Sequence, residues 1–245
     1  GNETQIGRDK LALLPTIGRN LNDFVRFTPQ TKITSTGGIS IAGQNNRYNG
    51  FLIDGAVNND VFGLSDQGTN GGRAGTPPIS IDAVDQIVVQ LSPYDAALGN
   101  FTGGAINAIT KSGTNAFHGS AYYIFRNQDM AGKTPGKIAD DQRKKLTDFK
   151  NQTYGFTIGG PIIKNKAFFF INAEVQKDSR PQPYTPQNVL NPDNSIRCNI
   201  RDSVTKLVNY LQTKYGYATG DYLNNPDDID RVNLNSRFDF NLNSK

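Results

Sequence analysis

The chain has 245 residues and a polar composition, with 36% hydrophobic residues and a mean hydropathy of −0.52, and it is long enough for one large domain or two small ones. No apolar run approaches the roughly 20 residues of a membrane-spanning helix, so a helical membrane protein is excluded, whereas a β-barrel is not, because polar residues on its lumen face lower the mean hydropathy. The net charge of +4 is dispersed among acidic residues without a continuous basic face or a base-reading module, so we predict no nucleic-acid partner.

The first part of the chain predicts short elements separated by turns. Residues 20–27 place apolar side chains at helical spacing between the N-cap residue Asn20 and the helix-breaking Pro29, which predicts a short helix. Residues 39–42 and 51–53 are predicted as two short strands that could pair with each other, with turn chemistry following at Asp54 and Gly55.

A polar segment and further short elements follow. Residues 58–78 are rich in Gly, Asn and Asp and are predicted to form an irregular loop. The next elements are a turn capped by Ser80, a strand, a helical turn and another strand, over residues 81–85, 86–90, 93–98 and 104–110. The result is a small α+β domain with short mixed strands over residues 1–112, and a turn-rich joint at 111–115 connects it to the rest of the chain.

The second part, residues 113–245, contains β segments in which apolar and polar residues alternate. These segments lie at residues 119–126, 152–160, 167–176 and 231–245. On one face of the last segment lie Val232, Leu234, Phe238, Phe240 and Leu242, and on the other lie Asn233, Asn235, Arg237, Asp239 and Asn241. Such alternation over about 9–11 residues is long enough for a tilted strand to cross a bilayer.

The connections between these segments are long, short and long in turn. Residues 127–151 and 177–230 form the long connections, the second with a predicted helix over 202–215, and residues 163–166 form the short one. Outer-membrane barrels alternate short periplasmic turns with long outer loops, so the pattern fits a barrel whose segment at 119–126 rises from the periplasm. A soluble, secreted β-rich adhesion or ligand-binding module with two irregular insertions is the alternative that this pattern leaves open.

Specific residues resemble the plug domain of TonB-dependent outer-membrane receptors, followed by the first strands of their barrel. The stretches similar to the plug are ISIAG, FLIDG, IDAVDQIVV, YDAALG and GGAINAITK, at residues 39–43, 51–55, 81–89, 94–99 and 103–111. Two further stretches, at residues 112–122 and 159–170, resemble the Oar-like branch with carboxypeptidase regulatory domains, which is typical of Bacteroidetes.

This resemblance implies a plug domain over residues 1–112, followed over residues 113–245 by antiparallel β strands and outer loops of an incomplete outer-membrane β-barrel. It implies the N-terminal part of a transporter in the outer membrane of a Gram-negative bacterium, whose plug gates the lumen and binds substrate for energised import, without catalysis or a cofactor. The implied partners are the TonB-ExbB-ExbD complex, the remainder of the barrel and outer-membrane lipid, and a surface lipoprotein is left open. We find no TonB box before Leu11 and count four strands where the family's barrel has roughly 22, so we expect a piece of a longer receptor.

We expect substrate contact in the loop over residues 58–75. Its amides, carboxylates, one aromatic ring and one guanidinium group supply hydrogen bonds and an apolar platform of the kind that a binding site uses. These candidate residues are Asn58, Asn59, Asp60, Phe62, Asp66, Asn70 and Arg73. The same side chains could simply keep the loop soluble, and their oxygens could form a calcium site, although the spacing does not match an EF-hand loop.

Two further residues have alternative interpretations, and the rare residue types exclude several kinds of site. Arg47 could hold the plug to the barrel through an ion pair with a lumen carboxylate such as Glu174, or it could face solvent. Asp54 is predicted as a turn residue whose carboxylate accepts local backbone N–H bonds, with a role at a polar plug apex as the alternative.

His118 and Cys198 are the single histidine and cysteine, so we predict no Ser/His/Asp triad, internal disulfide or zinc site.

Overall fold

A computed structural model of the chain divides it into two units. Unit 1 consists of Gly1–Tyr123, Tyr154–Val175 and Arg231–Lys245, and unit 2 consists of Ile124–Thr153 and Gln176–Asp230. The residues that the structure describes are 3–14, 16, 19–34, 37–62, 64–65, 67–71, 77–91, 99, 101–133, 135–136, 143, 145–146, 148–180, 188–191, 195–220 and 226–241. The predicted helical turn at 93–98 lies outside these residues.

Residues 1–112, which we call the plug region, contain seven short strands among their described residues. In chain order these are β1 (Glu3–Gly7), β2 (Thr31–Ile33), β3 (Ile39–Ile41), β4 (Gly50–Ile53), β5 (Ala56–Val57), β6 (Val84–Gln90) and β7 (Ala105–Thr110). Five of them form one sheet in the order β1-β6-β7-β4-β5. In this sheet β4 and β7 are parallel and the other neighbours are antiparallel, so the predicted mixed sheet is confirmed.

The predicted pairing of residues 39–42 with residues 51–53 is wrong. The strand β3 pairs with β2 instead, and β4 pairs with β5 and β7. The turn after β3, where Ala42 has a φ of 50° and Gly43 a φ of 80°, is followed by a 3₁₀ turn at Asn46–Tyr48. The chain therefore leaves β3 without forming the hairpin that the short spacing suggested.

Two short helices pack on this region. The helix α1 (Arg8–Leu13) follows β1, and neither of these elements was among those predicted from the sequence. The helix α2 (Leu21–Val25) is the predicted one, and its cap is confirmed, since the side chain of Asn20 accepts a hydrogen bond from the backbone N–H of Asn22 at 3.3 Å. The helix buries Leu21, Phe24 and Val25 in a core that also includes side chains of β6 and β7.

Longer strands form a second sheet, which we call the wall. The strands of the second part are β8 (His118–Asn127), β9 (Lys150–Ile163), β10 (Ala167–Arg180), β11 (Val189–Leu190), β12 (Ile196–Cys198) and β13 (Asp227–Phe240). The wall has the order β13-β10-β9-β8, so each long strand lies beside the long strand that precedes it in the chain. The four predicted segments lie in these strands, the last of them as far as Phe240, with its residues 242–245 outside the described ones. The positions of the strands confirm the predicted succession of long, short and long connections.

Unit 2 contains a small hairpin and the longest helix among the described residues. The hairpin pairs β11 with β12, and the helix α3 (Ile200–Tyr215) includes the predicted helix at 202–215. The helix ends at Gly216, which adopts a φ of 64° and donates its N–H to the carbonyl of Gln212. None of the helices that the structure describes is long and apolar enough to span a membrane.

The wall buries polar side chains and exposes apolar ones. On β13, Val232 and Leu234 are each 72% exposed, whereas Asn233 between them is half-buried. On β10, the side chains of Asn172 and Glu174 are both buried. A water-soluble sheet shows the opposite polarity, and an apolar outer face with a polar inner face is what a strand of an outer-membrane barrel requires.

The plug-region core generates a first prediction. Phe24→Ala should lower the free energy of unfolding by about 3–5 kcal/mol, because a fully buried ring leaves a cavity in the core between α2 and the sheet. Phe27→Ala is the matched control, since this ring lies just beyond the same helix and is 47% exposed. Urea unfolding of the complete receptor in detergent, followed by circular dichroism, should show the larger loss for Phe24, and equal losses would contradict this assignment of the core.

Candidate functional site

Side-chain hydrogen bonds within the molecule shape the loop that was predicted to contact substrate. The Oδ1 atom of Asn59 accepts a hydrogen bond from the backbone N–H of Phe51 on β4 at 2.6 Å. The Nδ2 atom of Asn70 donates to Oδ1 of Asn58 at 2.7 Å and joins the two ends of the loop. These amides therefore hold the loop in its conformation.

The carboxylate of Asp60 is also engaged inside the loop. One oxygen accepts a hydrogen bond from the backbone N–H of Phe62 at 3.1 Å, and the other accepts from the backbone N–H of Ser65 at 2.5 Å. A carboxylate bound in this way is an Asx-type turn that stiffens the chain around it. Among the described residues, no group of three or more His, Cys, Asp or Glu side chains is close enough together to hold a metal ion.

Three apolar side chains of this loop are exposed to solvent. Val61, Phe62 and Leu64 are 77%, 83% and 68% exposed, and we call these three residues the apolar tip. Phe62 was predicted as an apolar platform, whereas its two neighbours were missed because the composition of the loop points to hydrogen-bonding groups. Asp66 and Arg73 of the predicted set lie outside the described residues.

The turn between β4 and β5 is fastened to a neighbouring strand and to the wall. The carboxylate of Asp54 accepts hydrogen bonds from the backbone N–H of Thr110 at 2.9 Å and from its hydroxyl at 2.5 Å. The guanidinium of Arg237 on β13 lies 3.6 Å from the same carboxylate and donates to the carbonyl of Thr110 at 2.9 Å. Asp54 is thus a turn residue, as predicted, but its carboxylate binds a different strand instead of its own turn.

These contacts indicate at which end of the wall strands the Asp54 turn lies and where the loop begins. Arg237 lies near the end of β13, and the N–H of Asn241, just after β13, donates at 2.7 Å to the carbonyl of Lys166 in the short connection between β9 and β10. Short connections of a barrel face the periplasm. The strand β5 leads away from the Asp54 turn, and the loop that follows it begins beside Phe51 of β4, whose carbonyl accepts a hydrogen bond from the N–H of Asn58 at 2.8 Å.

The side chain of Glu174 on β10 is the centre of a buried polar cluster. Its Oε2 atom accepts hydrogen bonds from the hydroxyls of Ser80 at 2.9 Å and Tyr122 at 2.6 Å. Its Oε1 atom accepts from the guanidinium of Arg231 on β13 at 3.0 Å. The side chains of Glu174 and Arg231 are only 5% and 12% exposed, so the carboxylate depends on these donors in place of water.

Ser80 makes this cluster a contact between the plug region and the wall. It is the residue before the 3₁₀ turn Ile81–Ala83, and its hydroxyl oxygen also accepts a hydrogen bond from the backbone N–H of Asp82 at 3.3 Å. The predicted cap is therefore confirmed, and the same hydroxyl donates to Glu174 on the wall. The capping pattern was visible in the sequence, but the distant carboxylate was not.

Arg47, which was predicted to pair with Glu174, lies in a turn of the plug region. Arg47 lies in the 3₁₀ turn Asn46–Tyr48, and its backbone N–H donates to Oδ1 of Asn45 at 3.0 Å. It is not among the three partners of the Glu174 carboxylate. An arginine of the plug region that does contact the wall is Arg19, whose guanidinium lies 5.1 Å from the ring centroid of Tyr122.

The joint between the plug region and the wall is anchored by backbone and amide contacts. The N–H of Lys111 donates to the carbonyl of Ala83 at 2.8 Å. Burial lowers the pKa of the Lys111 ammonium below its ordinary value, while the carboxylate of Asp82 acts in the opposite direction. Asn115 donates its Nδ2 to Oδ1 of Asn165 at 2.6 Å and accepts the backbone N–H of Asn165 at 2.8 Å. The joint is therefore bound to the turn between β9 and β10.

A glycine on β9 provides the space that Tyr122 occupies. A Cβ atom added at Gly155 would lie 1.9 Å from the Cζ atom of the Tyr122 ring. Because the ring covers this glycine, the hydroxyl at its far end reaches Glu174 at 2.6 Å. Gly155 is therefore part of the geometry of the buried cluster, although it carries no functional group.

The buried ion pair generates a second prediction. Arg231→Met should destabilise the receptor by about 3–5 kcal/mol, since it leaves the Glu174 carboxylate buried without its cation, and adding Glu174→Gln should recover part of this loss. Arg8→Met is the control, because the Arg8 pair with Asp85 is exposed and should contribute at most about 1 kcal/mol. The measurement is the urea midpoint in detergent, and similar shifts for both arginines would refute a buried cluster.

The packing at Gly155 generates a third prediction. Gly155→Ala should destabilise the wall by about 1–3 kcal/mol, because the added methyl group displaces the ring of Tyr122. Gly132→Ala is the matched control, since a Cβ atom there meets no other atom within 4 Å. The measurement is the fraction of folded barrel, which is read from the difference in gel mobility between unheated and heated samples. If Tyr122→Ala in the Gly155→Ala background brings no relief, steric displacement of the ring is not the cause.

Comparison with known proteins identifies the family. Residues 109–245, more than half of the chain, match the family described as "Outer membrane beta barrel domain". The chain is 34% identical over 141 residues to the TonB-dependent transporter Oar of Myxococcus xanthus. The aligned region covers 54% of this chain and 12% of that protein. The chain thus spans about an eighth of the length of this curated relative. The predicted Bacteroidetes origin stays a prediction.

Solved structures show the same fold. The outer-membrane transporter YddB of Escherichia coli is 14% identical, with a TM-score of 0.63 over 98% of this chain and 31% of that chain. The siderophore receptor PirA of Acinetobacter baumannii is 24% identical, with a TM-score of 0.53 over 73% of this chain and 25% of that chain. Likenesses at 14% and 24% identity show the fold alone. The chain therefore belongs to the outer membrane beta barrel domain family, as an Oar-like homologue with the plug and part of the barrel of the TonB-dependent receptor fold.

Proposed function

We propose that the chain is the gating part of an energised importer in the outer membrane of a Gram-negative bacterium. Residues 1–112 form the plug that closes the lumen, and residues 113–245 begin the barrel and its outer loops. The observation that carries this proposal is the buried contact between Ser80 of the plug region and Glu174 on the polar face of the wall. A plug that is held by the lumen face of a barrel can block the lumen, and it can be displaced when its contacts with the barrel are broken.

The contacts between plug region and wall are suited to reversible displacement. They combine polar contacts with the apolar ring of Phe170 on β10, which is 2% exposed and belongs to the hydrophobic core of the plug region. Each hydrogen bond to a charged group contributes about 1.5–3 kcal/mol. Ser80 and the turn at Asp54 are held by a few such bonds, and Glu174 keeps Tyr122 and Arg231 as partners when Ser80 leaves. A pull by the TonB-ExbB-ExbD complex on the plug can therefore break these contacts while Glu174 of the wall keeps its other hydrogen-bond donors.

The loop over residues 58–75 is the proposed substrate contact. Its described part is held by internal hydrogen bonds and is solvent-exposed at its tip. In this proposal the tip faces the outer side of the membrane. Asn58, Asn59, Asp60 and Asn70 shape this surface through their internal hydrogen bonds, and Phe62 forms part of it. Asp66 and Arg73 complete the candidate set on sequence grounds.

The partners follow from the surfaces that the wall exposes. Its apolar outer face, with Val232 and Leu234, is the proposed contact with membrane lipid, and the edge strands β8 and β13 are the proposed contacts with the remainder of the barrel. A surface lipoprotein that covers the outer loops is a further proposed partner.

A plug deletion tests the gating role. In the complete receptor, removal of residues 3–112 should open the lumen and sensitise the host to vancomycin, which is too large for ordinary porins, whereas removal of residues 200–215 in α3 should not. Membrane fractionation with an antibody to residues 1–112 should show a band far larger than 26.8 kDa in the outer membrane. A soluble 26.8 kDa species, or unchanged vancomycin resistance after plug deletion, would favour the secreted β-rich module instead.

A further inference from the structure

We infer that the helix α3 docks on the phosphate-bearing lipid surface of the outer leaflet, with apolar side chains in the lipid and basic side chains beside the phosphates. The apolar side chains are those of Ile200, Leu207 and Tyr210, which are 42%, 56% and 50% exposed, and we call these three residues the apolar stripe. This contact is separate from the lipid contact of the wall strands and does not depend on whether the receptor imports a ligand.

Chain order places α3 on the outer side of the membrane. The short connection between β9 and β10 lies at residues 164–166, and α3 lies in the long connection that joins the other end of β10 to β13. Short connections of outer-membrane barrels face the periplasm, and long ones face outward. The outer leaflet is therefore the lipid surface that α3 can reach.

The faces of α3 differ in polarity and in burial. The members of the apolar stripe are separated by seven and three positions, which are spacings of residues on one side of a helix. Val204, Val208 and Leu211 lie on the adjoining face and are half-buried, and no residue of α3 is fully buried by the described part of the chain. A helix that presents an apolar side next to a polar one is typical of segments that lie in a membrane interface.

The helix and its flanks are basic. Over residues 195–220 there are four basic side chains and one acidic side chain, that of Asp202, so their net charge is four minus one, or +3. The basic residues are Arg197, Arg201, Lys206 and Lys214. Phosphate groups of lipids are anionic, and Lys and Arg side chains near such a surface strengthen binding to it. The charge of this segment therefore favours an anionic lipid surface as its partner.

Lys214 is held against two tyrosine rings at the end of the helix. Its Nζ atom donates a hydrogen bond to the hydroxyl of Tyr210 at 2.6 Å and lies 5.0 and 5.4 Å from the ring centroids of Tyr210 and Tyr215. Tyr215 and Tyr217 are 64% and 61% exposed. Tyrosines concentrate at the level of the lipid headgroups because their rings are apolar at one end and polar at the other. Three tyrosines and an ammonium group therefore match the headgroup layer.

Both ends of α3 are fastened before any contact with lipid. At its start, the backbone N–H of Arg201 donates to Oδ1 of Asn188 at 2.9 Å. At its end, the backbone N–H of Tyr217 donates to the carbonyl of Leu211 at 3.3 Å. The helix does not have to form on the membrane, so docking costs little conformational entropy.

A spin-label depth measurement tests this inference. In the complete receptor, with Cys198 and any other free cysteine replaced by serine, a nitroxide is attached to Leu207→Cys, and the receptor is reconstituted in phosphatidylcholine vesicles with lipid A in both leaflets. Oxygen concentrates in lipid, whereas a nickel chelate stays in water. The ratio of oxygen to nickel-chelate accessibility should be about fivefold higher at position 207 than at the control Asn209→Cys, which lies about 160° around the helix.

Lys214→Met tests the electrostatic part of the contact. It should lower the ratio of docked to undocked helix, read from the two components of the spectrum, about fivefold, the equivalent of about 1 kcal/mol, and Lys214→Arg should preserve this ratio. Vesicles of phosphatidylcholine alone should show a loss at least as large. The difference in gel mobility between unheated and heated samples confirms that each variant is folded.

Three outcomes would overturn the inference. A label at position 207 that is as accessible to the nickel chelate as the label at 209 would show that α3 stays in water. Protection of position 207 from both reagents would show that protein covers the stripe. Docking that is equal in phosphatidylcholine alone and insensitive to Lys214→Met would exclude an anionic partner. The plug deletion tests the importer proposal separately, so the two can fail independently.

Discussion

Burial of one carboxylate, that of Glu174, constrains much of unit 1. An ionised group without water is tolerated only when donors surround it, and Arg231, Tyr122 and Ser80 supply those donors from two wall strands and from the plug region. Each donor has its own structural requirement. Tyr122 needs the open space at Gly155, and Ser80 needs the 3₁₀ turn that leads into β6. A single buried charge thus relates the wall strands, the turn and the central sheet to one another.

The strand β13 carries two arginines that face the plug region. Arg231 belongs to the buried cluster, whereas Arg237 contacts Asp54 and Thr110 at a site that is about one-third exposed. Six residues of an extended strand span about 20 Å, so the two contacts hold the plug region at different heights along the wall. The partly exposed contact is screened by solvent, which makes the buried cluster the stronger of these two polar attachments.

Local signals in the sequence predicted elements but not all of their partners. Asn20 and Ser80 cap their helix and 3₁₀ turn as expected because a cap depends on residues only two or three positions away. The pairing of β3 with β2 was not foreseen, since strand pairing depends on the conformation of the turns on either side of a strand, here with positive φ at Gly37 before β3 and at Ala42 and Gly43 after it. In the loop, composition suggested that Asn58, Asn59 and Asp60 bind ligand. The structure engages their oxygens internally and exposes Val61 and Leu64 instead.

The sequence by itself determined the class of the protein. The alternation of polar and apolar residues, the long and short connections and the plug-like stretches all follow from covalent order, because a strand's two faces are set by a period of two. Only the tertiary structure decided which polar residues meet. The partners of Glu174 lie 52, 57 and 94 positions away in the chain, and such distant groups are brought together by strand order and sheet packing, which no local pattern encodes.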